Sequence, residues 1–75
     1  MTKTFKIGEE AIGGIIQVST RPKNVFDVKC LDYETKEIIS WRFVFGLEEL
    51  QEYCEDLSTP YWADQIVSYF KNKLK

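Results

Sequence analysis

The sequence predicts an α+β domain: an antiparallel meander of three strands, with a candidate fourth at its start, followed by two C-terminal helices packed on one sheet face. Three observations carry this expectation. Residues up to about Phe45 alternate apolar and polar with period two, whereas the remainder repeat at helical spacing. Short polar segments of hairpin length separate the alternating runs. No linker, repeat or low-complexity stretch divides the halves, so a single domain spanning 1–75 runs strands first and helices second.

"TFKI" near the start is the candidate fourth strand. "GEEAIGG" (Gly8 to Gly14) follows and needs a decision between a phosphate loop and a bend. Gly8 and Gly13 have the separation of a P-loop, G-x-x-x-x-G-K-[ST]. The Lys position, however, is Gly14, the Ser/Thr position is Ile15, and two carboxylates lie inside the loop. A strand follows where a helix N-terminus should receive the phosphate. The glycines therefore read as a bend, a bulge or a close backbone approach.

"IIQVST" alternates Ile16, Val18 and Thr20 against Ile15, Gln17 and Ser19. "RPKN" is a turn, because Pro22 lacks an N–H and Asn24 tolerates positive φ. "VFDVKCLD" sets Phe26, Val28 and Cys30 against Asp27 and Lys29, and "YETK" is the next connection, with Asp32 as a side-chain turn cap. "EIISWRFVF" is the most strongly patterned strand. Its aromatic side, Ile39, Trp41, Phe43 and Phe45, is expected to face the helices.

Leu47, Leu50, Cys54 and Leu57 recur on one face of the first helix, with Gly46 as N-cap and Glu48 and Glu49 at the positive end of its dipole. "STP" separates the helices: Thr59 caps and Pro60 opens the second. Ala63, Ile66, Val67, Phe70 and Leu74 form its apolar side, and Lys71, Lys73 and Lys75 gather at its end.

Composition narrows the functional classes. The chain has 75 residues, a 15% aromatic fraction and a net charge of −2. Such a charge suits neither a strongly basic nucleic-acid binder nor an acidic DNA mimic. Two cysteines, Cys30 and Cys54, without a CxxC or a disulfide framework, read as buried reduced thiols. No apolar run approaches the roughly 20 residues of a membrane span, and the expected location is cytoplasmic. The chain has no His, which removes the commonest general base and metal ligand. Asp27 with Lys29, and Glu34 with Lys36, resemble an acidic-x-Lys nuclease fragment but read as surface charge. Neither a cofactor nor a metal site is expected.

The side of the sheet away from the helices is then expected to carry Ile15, Leu31, Ile38 and Val44 beside Lys29 and Arg42. These six residues form the candidate interaction surface. The acidic face of the first helix, Glu48, Glu49, Glu52, Glu55 and Asp56, reads as solvated and as repelling nucleic acid. Tyr33, Tyr53, Tyr61 and Trp62 are the aromatics least committed to the core. The leading expectation is a non-enzymatic module for an unidentified protein partner or a second copy of itself. The alternative is weak single-stranded nucleic-acid binding on the sheet, opposed by aromatics that the core is expected to claim.

Overall fold

Helices that follow a run of hairpin-connected strands bury their apolar faces against one side of the sheet those strands form. The computed structural model, which describes residues 1–73, has this form. Strands β1 (Thr2–Lys6), β2 (Gly14–Arg21), β3 (Val25–Asp32) and β4 (Ile38–Phe45) make one antiparallel sheet in the order β1-β2-β3-β4. The candidate fourth strand is therefore real, and β1 and β4 are the two edges. Helices α1 (Gly46–Leu57) and α2 (Pro60–Lys73) follow. Leu74 and Lys75, expected as a last apolar contact and a third terminal lysine, lie outside the described residues.

The register decides the faces. Ile16 pairs with Cys30 and Val18 with Val28, and Phe26 pairs with both Thr20 and Val44. These residues look toward the helices, whose Leu50, Cys54, Leu57, Ala63, Ile66 and Phe70 complete the core. Phe26 and Phe70 meet edge to face at 5.6 Å, a favoured aromatic geometry.

The expectation for β4 is overturned here. Trp41, Phe43 and Phe45 lie on the outer face at 55%, 50% and 64% exposure, and Ile39 is also exposed. The period-two pattern is correct and its phase is reversed. Pairing Val44 with Phe26 puts Ser40, Arg42 and Val44 toward the helices, while the register shift at Cys30/Leu31 leaves Ile38 on the outer face opposite Leu31. Tyr53 of α1 lies against the helix side: its hydroxyl bonds that of Ser40, and the Arg42 guanidinium lies 5.3 Å from its ring centroid. Ser40 is half-buried beneath that tyrosine, and Arg42 beside it stays exposed.

The glycines answer the question of the bend. A Cβ on Gly13 would stand 2.5 Å from Ile39 Cδ1 and nearer still to the carbonyl oxygen of Leu31. Gly14 has φ +96° and would set a Cβ 2.9 Å from that of Tyr33. The segment folds into a one-turn 3-10 helix, Gly8–Glu10, and the Ile12 N–H bonds the Leu57 carbonyl at the end of α1. The cleft beside it is lined by Glu9, Glu34 and Tyr33 with no cation, the reverse of a phosphate site.

Local chemistry elsewhere follows the expectations closely. Asp32 accepts the N–H groups of Glu34 and Thr35, each at 2.9 Å. Those bonds, Thr35 first and Glu34 second, hold its carboxyl below the ordinary value of 3.8. Lys23 and Asn24 both take positive φ in the β2–β3 turn. Thr59 caps α2, its hydroxyl accepting the Trp62 N–H at 3.3 Å. The α1 cap falls on Phe45, one residue before the expected Gly46, and the Glu49 carboxylate accepts the Phe45 N–H at 3.2 Å.

Both cysteines are buried and free. Burial pushes the Cys54 thiol from 9.0 up to about 12. Because the folded state holds that proton more tightly, this stabilisation is complete below about pH 9 and is lost as pH rises toward 12. A thiol reagent at pH 8 is therefore expected to leave native Cys54 unmodified and to label it only as the chain unfolds. Labelling at the rate of a free thiol without unfolding would contradict the burial.

Candidate binding face on the outer side of the sheet

Four cross-strand rows make up the outer face. Lys6, Ile15, Leu31 and Ile38 form the first, and Thr4, Gln17, Lys29 and Trp41 the second. Thr2, Ser19, Asp27 and Phe43 form the third, with Arg21, Val25 and Phe45 beyond it. The β1 half is polar and self-satisfied: Thr2 and Ser19 hydroxyls bond at 2.8 Å, and Gln17 donates to Thr4 at 3.3 Å. The β4 half is a row of aromatic rings. Trp41 and Phe43 have centroids 6.0 Å apart, tilted by 50°.

Asp27 was expected to be solvated, and the structure corrects this. It is the one buried charged residue among those described, at 2% exposure, on a face that no further layer of the fold covers. Its Oδ1 accepts the indole N–H of Trp41 at 2.6 Å, and its Oδ2 pairs with Arg21 Nη2 at 2.9 Å. Two partners satisfy this buried carboxylate, as burial of a charge requires. The consequence is a fixed indole: Trp41 is held at the surface by a bond from below. Lys29 Nζ stands 5.0 Å from the Trp41 ring centroid, within cation–π distance.

The six expected surface residues do not form one patch. Leu31, Ile38 and Lys29 lie on the outer face, with Ile38 exposed and the other two half-buried. Ile15 points the same way but is buried, in register between Lys6 and Leu31. Val44 belongs to the core, and Arg42 is exposed on the helix side. Of the unassigned aromatics, Tyr53 and Trp62 pack against the core, while Tyr33 and Tyr61 are exposed.

Of the residues that do come together, Trp41, Phe43 and Phe45 were assigned to the core by sequence reasoning, whereas Asp27 was expected on this side as solvated charge and Arg21 among the cations of the nucleic-acid alternative. One signal could have found them. The last strand of a meander is an edge, and an edge strand has neighbours on one side only.

The charge balance differs between the two sides. The outer face carries Lys6, Arg21 and Lys29 against the single carboxylate of Asp27. The exposed acids of α1, Glu48, Glu49, Glu52, Glu55 and Asp56, lie on the reverse side of the sheet. Among the described residues, no three metal-ligating side chains converge, and no helix is long and apolar enough to cross a membrane. Neither protein-family models, nor characterised proteins, nor solved structures offer a match to this chain.

Proposed function

We propose that this chain is a non-enzymatic binding module whose contact surface is the outer face of the sheet along β4. One observation carries the reading: three large aromatic side chains, each at least half exposed, stand in a row on an edge strand. Exposed apolar groups are ordinary when scattered, but a contiguous row of rings is characteristic of contact surfaces. Aromatic residues are also the side chains most often found to dominate binding energy. The fixed orientation of Trp41 supports the same reading, since a preoriented group loses less freedom when a partner arrives.

The expected partners, a protein or a second copy first and a single-stranded nucleic acid second, meet on this one surface. The test is a double variant, Phe43→Ser with Phe45→Ser. Both rings are half exposed or more, so together they are expected to cost no more than about 2 kcal/mol of stability. Complexes captured by the wild-type protein from cell extract, or its self-association measured by light scattering, are expected to be lost in the folded variant. A variant that folds and retains every such association would overturn the reading.

A further inference from the structure

We infer that the partner of the outer face is a single-stranded nucleic acid, its bases stacked on Trp41, Phe43 and Phe45 and its phosphates met by Lys29 and Arg21. This rests on the outer face being the contact surface. The sequence weighed against nucleic acid through its net charge of −2, the lack of an RNP-like motif, an aromatic side assigned to the core and an acidic helix opposing the cations, and the fold removes the last two. In the folded chain the rings are exposed and the acidic helix is behind the sheet.

Charge complementarity selects among the occupants. A second copy docked face to face would set Lys29 and Arg21 of each protomer against those of the other. Joined edge to edge along β4, two copies would bring together the clefts beside that edge, each with three carboxylates (Glu49, Glu52 and Asp56) against the one guanidinium of Arg42. Both arrangements oppose like charges. An acidic peptide adding a strand to β4 would meet the same carboxylates, and the Phe45 N–H is already taken by Glu49. A polyanion lying across the outer face avoids α1 altogether. The turn acids Glu34 and Glu37 follow β3 at the Ile38 end, so the chain runs toward the opposite end, where Arg21 and the exposed Lys23 lie.

The spacing of the rings along the strand fits stacking. Alternate residues of a strand are roughly 6.6–6.8 Å apart, so Trp41, Phe43 and Phe45 offer successive platforms along one line. Every base has a π-face, so such a row binds with little sequence preference. Lys29, already over the indole, is placed to reach a phosphate flanking a base stacked there. Asp27 and Arg21 serve as positioning residues for Trp41.

The probe is a short labelled oligothymidylate, followed by fluorescence anisotropy with the full chain. Two to three phosphate contacts predict an affinity that falls roughly seven- to twenty-fold between about 50 and 200 mM salt. Trp41→Ala and Phe43→Ala are each expected to weaken binding roughly tenfold. Lys29→Glu, which leaves the core untouched, should also weaken it and flatten the salt dependence. Lys71→Glu, on the last turn of α2, should change nothing. Absence of binding at low salt, or binding indifferent to Trp41, Phe43 and Lys29, overturns the inference. If the oligonucleotide fails while Phe43→Ser with Phe45→Ser still disperses a salt-resistant dimer or releases a captured protein, the inference falls and the contact face stands. If no association depends on that face, both fall.

Discussion

Shortening Phe70 or Phe26 to alanine is expected to cost about 3–5 kcal/mol, the usual consequence of emptying a fully buried aromatic site. A domain of 75 residues has roughly 4–11 kcal/mol in total, so either variant should lose from about a quarter to all of it. The two rings face each other across the interface between β3 and α2, and Phe5 and Tyr69 close around Phe70. Phe43→Ala removes a ring of the same size from the half-exposed outer face and should cost only about 1 kcal/mol, and Trp41→Ala about 1–3 kcal/mol, because it also takes the indole N–H away from the buried Asp27 carboxylate. Urea unfolding of the four variants checks the order. If Phe43→Ala lowers the midpoint as far as Phe70→Ala does, β4 faces the core after all. That result would also remove the contact face on which the functional reading depends.

Gly13→Ala is expected to have the second-largest effect, about 1–3 kcal/mol, although it adds a single methyl group. The added carbon meets the backbone oxygen of Leu31 and the side chain of Ile39. Ile39 can turn aside, but the carbonyl is fixed in the β2–β3 ladder. The strain therefore falls on the β-bulge, where the β3–β4 register shifts between Cys30 and Leu31. Gly14→Ala should also destabilise, through its φ of +96°. Thermal melts of both variants, with and without a nucleoside triphosphate, test the structural assignment of this loop. A wild-type melting temperature for Gly13→Ala would mean that the backbone does not approach as closely as described. A rise in melting temperature that grows with nucleotide concentration would restore the phosphate-loop reading.

The sequence by itself determined the element types, their order and most of their boundaries. Period two against period 3.6 distinguishes strand from helix without reference to anything distant, and Pro60, Thr59 and Asp32 mark helix entry and turn through their own covalent geometry and hydrogen bonds. The core faces of β2, β3 and both helices were legible for a related reason. In each of them one phase is markedly more apolar than the other, and that phase joins the core. Strand β4 has no such asymmetry that local reasoning can rank correctly. Its odd residues are far more apolar than Ser40 and Arg42, and yet they are the exposed set. Which phase is buried was decided by the pairing of Val44 with Phe26 and by Tyr53 covering Ser40, contacts between residues distant in the chain. The same holds for Asp27, a carboxylate on the outer phase of β3 that reads as solvated until Trp41 and Arg21 arrive from two other strands. The aliphatic and Lys29 part of the outer face was thus legible in the sequence, and its aromatic row with Asp27 and Arg21 was not, because only the tertiary structure brings those residues to one place.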